Sequence, residues 1–406
     1  MNLVENIKAE ILSHTVSEKQ RKIGLEVEGL YYDRHFNRLP VNPTNQYSAT
    51  DLFQEIMQNR QSNDTFTYSL EPGGQLEWAS APAISLWDLQ KQFNRHVEIE
   101  NQICEINQID RLHLSLEPLC VPNDIDLITL NKYQLMHDLF SQTGQLGPWM
   151  MRNTASVQIN FDVTGERDLE DMTFTADCLQ PVCAYLFANS PFRNGKPTGT
   201  ENIRNVIWEN TDNHRCRNLI DHGIESPEKI IDRYIDYIMT VPGIFELDDN
   251  GTIVRTDQTL GERLMSLENT GALRTEDIQA ALHQIFTNVR LKDLVEVRGA
   301  DRPPMGYEMA PVAFWTGVLT AESVRDELLS VVKNWTVEER HQFNKASLIL
   351  DDAQMGPNGK TYREWNQWAG DLALNGLKER DLGEEKFFEE FFTIVMSKGP
   401  FSLQAQ

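Results

Sequence analysis

Apolar and polar residues alternate strictly between positions 23 and 28. Isoleucine, leucine and valine occupy the odd positions, whereas Glu26 and Glu28 occupy two of the even positions. Because successive side chains of a β-strand point to opposite faces, this pattern predicts a strand with one apolar face and one acidic face.

A second acidic segment surrounds a predicted turn. Within the range from Tyr68 to Ala79, the run Pro72-Gly73-Gly74 has Glu71 on one side and Glu77 on the other. Proline and glycine favour tight turns, so this segment predicts a hairpin or sharp bend that carries two carboxylates.

The longest alternating stretch runs from Arg152 to Val163, and Leu291 to Gly299 predicts a further strand. The first has an apolar face and a face of six polar side chains, namely Arg152, Thr154, Ser156, Gln158, Asn160 and Asp162. The second places its charged side chains on one face, namely Lys292, Glu296 and Arg298. Four predicted strands thus offer a polar or charged face.

Helical periodicity fills the intervening segments, and the sequence from Thr336 onward predicts helices alone. The main predicted helices are Leu86 to Asn107, Asp168 to Phe187, Pro227 to Met239, Thr275 to Phe286, Ala313 to Val332 and Glu384 to Met396. This order indicates the α+β class. Because no long Pro/Gly/Ser-rich linker interrupts the chain, we expect one domain over 1–406, with a catalytic body at 1–335 and a helical cap at 336–406 that does not fold independently.

Charge and hydropathy exclude several kinds of partner. The net charge of -24 opposes binding to nucleic acid, which depends on clustered Lys and Arg. The longest apolar candidate, Pro311 to Leu319, is about half of a membrane span, and Met1 to Thr15 is an amphipathic helix rather than a signal peptide. Five scattered cysteines suggest reduced thiols, so we expect a cytoplasmic protein.

The acidic strands suggest metal chemistry. A polar sheet face is usually just solvated, but four strands that share carboxylates make an inward-facing site a competing interpretation. Clustered carboxylates without histidine or cysteine suit Mg²⁺ or Mn²⁺, and several such ions imply a phosphate ligand, for which ATP is the obvious choice. The segment before Gly359-Lys360-Thr361 lacks the first glycine of a phosphate-binding loop, and motifs typical of metalloproteases, serine hydrolases and dinucleotide-binding proteins are absent.

Several longer motifs resemble the plant-type glutamate–cysteine ligases and their bacterial relatives. The segment Glu71 to Glu77 matches their E-P-G-G-Q-x-E signature, and Met151 to Asp162 is similar to their central strand. The longest match is Ala188 to Gly199, and Arg298 to Asp301 reproduces the family's R-G-A-D. The resemblance covers roughly Arg21 to Glu339.

The resemblance implies a glutamine-synthetase-like antiparallel sheet funnel, surrounded by helices, that holds ATP and two or three Mg²⁺ ions, with Mn²⁺ as a substitute. The implied metal ligands are Glu26, Glu28, Glu71, Glu77 and Glu296. The implied substrate-binding residues are Arg204, Trp208, Thr154, Ser156, Gln158 and Arg152. Implied ATP-binding residues are Asn160, Lys292, Arg298 and Arg215, and Arg298 and Glu296 are the implied catalytic residues.

The implied reaction joins the γ-carboxylate of glutamate to the amino group of cysteine through an acyl phosphate, which gives γ-glutamylcysteine in the first step of glutathione synthesis. The partners would be small molecules alone, and the protein a monomer or homodimer. Two alternatives stay open, namely a related carboxylate–amine ligase with another substrate and a non-catalytic homologue. The alternative of a related ligase with another substrate is favoured by two departures from the family. Cys120-Val121-Pro122 replaces a Trp-Arg loop of the family, and Lys132 replaces an arginine.

Overall fold

A seven-stranded antiparallel sheet lies at the centre of the computed structural model, which describes residues 2–405. The strands within these residues are β1 (Ile23–Asp33), β2 (Thr67–Leu70), β3 (Leu76–Ala79), β4 (Ile109–Leu112), β5 (Ser156–Phe161), β6 (Phe192–Arg193), β7 (Lys196–Pro197), β8 (Phe245–Leu247), β9 (Ile253–Arg255), β10 (Val289–Leu291) and β11 (Val295–Asp301). The sheet order is β10-β11-β5-β1-β3-β2, with β4 also paired to β1. Strands β6-β7 and β8-β9 form two small separate hairpins.

Helices surround this sheet. They are α1 (Leu3–Ile11), α2 (Ala49–Asn59), α3 (Leu86–Asn107), α4 (Asn131–Thr143), α5 (Gly147–Asn153), α6 (Glu166–Leu186), α7 (Ile203–Glu209), α8 (Ile230–Thr240), α9 (Leu260–Thr270), α10 (Thr275–Leu282), α11 (Ala310–Thr320), α12 (Glu322–Val332), α13 (Val337–Ala346), α14 (Tyr362–Glu379), α15 (Glu389–Lys398) and α16 (Phe401–Gln404). The predicted α+β class is confirmed. Within residues 2–405, no helix combines the length and the apolar character that crossing a membrane requires.

The apolar face of the sheet forms the main core. Leu25, Val27, Val157, Ile159 and Val297 are all buried, and helix α6 packs against β10 and β11. Burial of each such side chain contributes about 1.5–3 kcal/mol, so the alternating pattern fixes which face of each strand points inward. The polar side chains of these strands therefore lie on the opposite face of the sheet, where they can form a site.

Three predicted elements have different boundaries in the structure. The strand predicted from Arg152 begins only at Ser156, because α5 starts with Pro148 in its first turn and extends through Asn153. The strand predicted from Leu291 to Gly299 is a hairpin, since the chain turns back at 292–294. The single helix predicted from Ala313 to Val332 is two helices, because Ala321 has an extended backbone conformation (ψ 110°).

The C-terminal helices contact the same core. Phe388 and Phe391 pack around Phe187 of the body, and Phe388 also contacts Phe314 of α11. In the helix predicted from Glu384 to Met396, Phe388, Phe391 and Phe392 are therefore buried, although its first turn, Glu384–Phe387, is a 3-10 helix rather than an α-helix. Whether residues 336–406 can fold alone stays a prediction.

Candidate active site

A cavity of about 460 Å³ lies over the polar face of the sheet. Strands β1, β3 and β5 contribute one side of it, and the β10-β11 hairpin contributes another. All five glutamates that the sequence predicted to share a site line this cavity. The sequence prediction that these carboxylates face one hollow, rather than open solvent, therefore agrees with their positions.

Four of the glutamates form a carboxylate wall, which we define as Glu26, Glu28, Glu71 and Glu77. Glu26 and Glu28 project from β1, Glu77 projects from β3, and Glu71 lies at the start of the β2-β3 turn, directly after β2. Glu28 and Glu77 stand directly opposite each other in the β1-β3 pair. Like charges at such positions repel each other, so this pairing costs stability unless a cation lies between them.

Burial raises the pKa of every carboxylate of the wall, and repulsion from neighbouring glutamates adds to this rise at Glu26, Glu28 and Glu77. Burial, with the charge of Glu71 added, raises the pKa of Glu28 to about 7. Burial and the three neighbouring glutamates raise the pKa of Glu77 well above its ordinary value, and burial followed by Glu296 raises the pKa of Glu26. The chain supplies too little positive charge near the wall to stabilise all four carboxylates in their ionised form.

The donor set of the wall fits a hard divalent cation. Beside the carboxylates, the side-chain amide oxygens of Gln158 and Asn160 are buried and have no hydrogen-bond partner. Their amide nitrogens donate to the wall, from Asn160 to Glu26 at 2.9 Å and from Gln158 to Glu28 and Glu77 at 3.3 Å each. Oxygen ligands of this kind suit Mg²⁺. Within residues 2–405, no group of three or more carboxylate, histidine or cysteine side chains is already closed around an ion position.

Two glycines and a glutamine fix the turn that carries Glu71. A Cβ atom on Gly73 would lie 2.4 Å from the carbonyl oxygen of Arg152, and Gly74 has a φ of +76°. The side chain of Gln75 accepts from the amide of Gly73 at 2.9 Å and donates to the carbonyl oxygens of Met151 and Thr154 at 3.2 and 2.8 Å. These contacts hold the turn against the start of β5, which explains the sequence Pro-Gly-Gly-Gln.

Opposite the carboxylate wall lies a cation cluster, which we define as Arg290, Lys292 and Arg298. All three contact the fifth glutamate, Glu296, at 2.5, 3.1 and 3.2 Å respectively. Burial alone would raise the pKa of Glu296, but the three cations outweigh it and hold that pKa well below its usual range. Glu296 therefore pairs with three cations of the chain, and the metal-ligand role that the resemblance implies for it stays a prediction.

Arg290 is a site residue that sequence reasoning missed. It lies in β10 directly opposite Glu296, and its guanidinium donates to both oxygens of that carboxylate. The signal was present, because Arg290 and Lys292 alternate with buried Leu291. It was overlooked because the predicted strand began one residue too late.

Trp208 lines the cavity between two arginines. The Arg298 guanidinium lies 6.0 Å from its ring centroid and that of Arg204 lies 5.7 Å away. The indole N–H of Trp208 is buried without a hydrogen-bond partner. Arg204 itself lies outside the cavity wall and contacts Asp301 and the carbonyl oxygen of Gly299, at 3.4 Å each. Its positive charge acts on Glu28 of the carboxylate wall and opposes the rise of that pKa.

The four other residues implied to bind substrate differ in their position relative to the cavity. Thr154 and Gln158 line the cavity, whereas Ser156 contributes its backbone N–H, which donates to Glu28 at 2.7 Å. Arg152 points away, because its place at the end of α5 directs its guanidinium to the carbonyl oxygens of Pro122 and Ile125. It anchors the loop in which the sequence departs from the family.

Arg215, predicted to bind ATP, lies outside the cavity. Its guanidinium is fully buried and is held by Asp212 at 2.8 Å and by the carbonyl oxygens of Gln284 and Pro242. A side chain with these partners has little to offer a nucleotide. Asn160, in contrast, lies in β5 directly opposite Glu296 of β11, and its side-chain amide donates a hydrogen bond to Glu26. It therefore lies between the carboxylate wall and the cation cluster.

A further part of the cavity is apolar, which the sequence did not predict. Its side chains come from α4, α5, the β8-β9 hairpin and the segment before β10, and they include Met136, Met150, Phe245, Ile253 and Phe286. These residues lie far apart in sequence and share no motif, so only the fold brings them together. The cavity can therefore hold a ligand with a charged end and an apolar or planar part.

The geometry as a whole suits transfer of a highly charged group. Acceptors on one side can hold cations, and fixed donors on the other side can hold the oxygens of an anion. One histidine, His283, also lines the cavity near Arg290 and Lys292, and burial followed by these two cations lowers its pKa to about 4.

Comparisons with known proteins agree with this geometry. The sequence profile of glutamate–cysteine ligase family 2 (GCS2) matches residues 22–395. A chloroplastic glutamate–cysteine ligase A of Oryza sativa subsp. indica is 31% identical over 332 residues, which are 81% of this chain and 67% of that protein. The chloroplastic glutamate–cysteine ligase of Arabidopsis thaliana is 34% identical over 280 residues, 68% of this chain and 53% of that protein.

A solved structure shares the fold. The glutamate–cysteine ligase of Francisella tularensis, crystallised in complex with AMP, superposes with a TM-score of 0.60 at 14% identity, covering 94% of this chain and 83% of that one. The chain spans about two thirds of the rice relative and about half of the Arabidopsis relative. With a profile match over nearly its whole length, the chain belongs to glutamate–cysteine ligase family 2, as its motifs predicted.

Proposed function

We propose that this chain is an ATP- and Mg²⁺-dependent ligase that joins the γ-carboxylate of glutamate to the amino group of cysteine. The observation that carries the proposal is the meeting of the carboxylate wall and the cation cluster across one cavity. The names of the sequence relatives support the choice of glutamate and cysteine.

In this proposal the carboxylate wall would hold two or three Mg²⁺ ions. When bound, the ions offset the charge of the phosphate oxygens and of the attacking carboxylate. Gln158 and Asn160 orient Glu26, Glu28 and Glu77 by the amide hydrogen bonds described above. Arg298, fixed by Glu296, presents N–H donors to the phosphoryl oxygens without having to reorganise. The guanidinium of Arg290 is engaged by Glu296 and by the carbonyl oxygens of His283 and Ile285, so it contributes positive charge.

The proposed chemistry has two balanced steps. An oxygen of the γ-carboxylate attacks the terminal phosphorus of ATP, and the bond from that phosphorus to the bridging oxygen breaks to release ADP. The neutral amine then attacks the acyl carbon, inorganic phosphate leaves, and the amine loses a proton. Activation is needed because an ionised carboxylate does not react with amines at a useful rate, and both steps concentrate negative charge near the cations.

An isotope experiment tests the proposal directly. Purified protein is supplied with ATP, Mg²⁺, cysteine and glutamate labelled with ¹⁸O in its γ-carboxylate. We expect γ-glutamylcysteine by mass and one labelled oxygen in the released phosphate. Product without labelled phosphate would exclude the acyl phosphate, and absence of ADP release would contradict the assignment.

A related ligase with another amine or acid is the second candidate. The observation that favours it is the loop Cys120-Val121-Pro122, which carries no arginine and lies outside the cavity wall. The same assay with a panel of amino acids and amines separates the two candidates. Turnover by another pair, and not by glutamate with cysteine, would support the second.

A further inference from the structure

Arg302 is a buried cation that lies close to the carboxylate wall but outside the cavity. It directly follows the R-G-A-D segment, was not among the implied site residues, and has a fully buried side chain. Its Nη1 atom donates to the backbone carbonyl oxygen of Glu28 at 2.6 Å, although Arg302 does not line the cavity. Glu28 therefore has a contact behind the wall in addition to its contacts within the cavity.

Gly29 shows on which side of the sheet Arg302 lies. Successive side chains of a strand point to opposite faces, so the Cβ position of Gly29 points away from the cavity that Glu28 lines. A Cβ atom at Gly29 would lie 2.8 Å from Nη1 of Arg302 and 3.1 Å from the hydroxyl oxygen of Tyr31. Arg302 therefore approaches β1 from the face opposite the carboxylate wall, and a glycine leaves room for it.

The contact occurs where the pairing of β1 with β5 ends. The last paired residues of the two strands are Val27 and Val157. At the next position the backbone N–H of Ser156 donates to the side-chain carboxylate of Glu28 at 2.7 Å, and the backbone carbonyl oxygen of Glu28 accepts from Arg302. The main chain and the side chain of Glu28 are thus held by two different donors, one on each side.

Arg302 is fixed in place, but its guanidinium is incompletely paired. Its backbone carbonyl oxygen accepts from the side-chain amide of Asn189 at 2.8 Å. Its ion pair with Glu308 is long, at 3.8 Å, and within residues 2–405 its Nε and Nη2 atoms have no hydrogen-bond partner. Burial lowers the pKa of Arg302, and the charge of Glu28 is among those that oppose this change. The arginine therefore brings positive charge, as well as a donor, to the rear of the wall.

We propose that Arg302 is a positioning residue that fixes the orientation of Glu28 from behind the sheet, so that binding of divalent ions at the carboxylate wall depends on it. This inference rests on the proposed function, in which Glu28 is a metal ligand. Loss of a side chain that holds a metal ligand in place typically weakens metal binding roughly 10- to 100-fold. Arg302 lies outside the cavity, so it acts through Glu28 rather than on a substrate or an ion.

Binding of Mn²⁺ in the presence of a non-hydrolysable ATP analogue measures this dependence. Arg302→Met replaces the guanidinium by an apolar side chain, and we expect the dissociation constant of Mn²⁺ to rise about 10- to 100-fold. Gly29→Ala keeps the positive charge but displaces Nη1 of Arg302, and it should raise that constant about 10-fold. Arg302→Lys keeps the charge and one donor, so it should recover part of the affinity. Gly29→Ala also tests the contact if Arg302→Met does not fold.

The backbone amide of Ser156 reports the position of Glu28 without metal, substrate or turnover. In metal-free protein labelled with ¹⁵N-serine, its nuclear magnetic resonance signal is assigned by its loss in Ser156→Ala. Because this N–H donates to the Glu28 carboxylate at 2.7 Å, its signal moves when that carboxylate moves. We therefore expect a shifted Ser156 signal in both Arg302→Met and Gly29→Ala.

Arg340→Met is the matched control. Arg340 is also a buried arginine that donates to a backbone carbonyl oxygen, that of Glu225 at 2.9 Å, and it lies outside the cavity. The variant leaves Asp177 without its ion-pair partner at 2.7 Å, so Tm should fall while the Mn²⁺ affinity and the Ser156 signal stay those of the wild type. An equal loss of Mn²⁺ affinity in Arg340→Met and Arg302→Met would reduce the result to a general loosening of the fold and overturn the proposal.

Failure of this proposal is distinguishable from failure of the proposed function. Wild-type Mn²⁺ affinity in both Arg302→Met and Gly29→Ala would overturn the proposal, and so would an unshifted Ser156 signal in both variants. If the wild type binds Mn²⁺ but releases no ADP with glutamate and cysteine, the proposed function fails, and the Mn²⁺ and Ser156 measurements still decide the role of Arg302. A wild type that binds no Mn²⁺ with the analogue would overturn the dependence of ion binding on Arg302.

Discussion

The carboxylate wall and the cation cluster around Glu296 differ in how their buried charges are neutralised. Glu296 lies among three cations of the chain, and its pKa is held well below the ordinary value despite burial. Glu77 lies among three other glutamates, and burial together with those charges raises its pKa well above the ordinary value. The difference shows that cations of the chain neutralise Glu296, whereas the carboxylates around Glu77 lack comparable partners in the chain.

Glu77→Gln should give the largest effect on activity and the clearest contrast with Glu296. The variant removes one ligand of the carboxylate wall and should lower kcat/KM about a thousand-fold. In metal-free buffer it should also raise Tm, because it removes a charge that is buried among like charges. Steady-state ADP release and thermal unfolding measure both effects, and a lower Tm without metal would contradict this interpretation of the wall.

Glu296→Gln should act in the opposite direction on stability. Without that carboxylate, Arg290, Lys292 and Arg298 lose their shared partner, and the cost of an uncompensated buried charge is about 3–5 kcal/mol. Urea unfolding of the metal-free protein measures the change. A free energy of unfolding equal to that of the wild type would show that solvent, rather than Glu296, neutralises the cluster.

Arg298→Lys should separate geometry from charge within the cation cluster. The guanidinium contacts Glu296 and lies 6.0 Å from the rings of both Trp208 and Phe286, a planar arrangement that an ammonium group does not reproduce. We expect kcat to fall about 100-fold while the KM for ATP changes little. A variant with the wild-type kcat would assign Arg298 a role in charge balance alone.

Gly73→Ala should produce a smaller effect, confined at first to the turn. The added Cβ would collide with the backbone of Arg152, and relief of such overpacking costs about 1–3 kcal/mol. A shift of the turn also moves Glu71, so affinity for Mn²⁺ should fall along with Tm. Gly165→Ala is a suitable control, because nothing lies within 4 Å of the Cβ that it would add.

The sequence predicted the acidic part of the site better than the rest. Period-two alternation places Glu26 and Glu28 on one face regardless of tertiary detail, since the buried face of β1 admits one register only. Arg290 was missed because the predicted strand began at Leu291, one residue after it, although Arg290 and Lys292 alternate with that buried leucine. The apolar side chains Met136 and Phe245 escaped because long-range packing alone brings them to the cavity.

Motif resemblance identified which residues matter but not what each one contacts. Arg204 and Arg215 lie within matched segments, yet they bind Asp301 and Asp212 and lie outside the cavity wall. A motif match alone does not distinguish a ligand-binding arginine from one that forms a buried ion pair, as Arg204 and Arg215 do. Cytoplasmic location, oligomeric state and the number of metal ions remain predictions.

The most direct test of the central claim is a titration of Mn²⁺ into the protein with a non-hydrolysable ATP analogue, followed by electron paramagnetic resonance. If the carboxylate wall holds divalent ions against a triphosphate, the wild type should bind two or three ions, and Glu77→Gln should bind fewer or bind them more weakly. Binding no greater than that of the analogue alone, or equal binding by both proteins, would contradict the account.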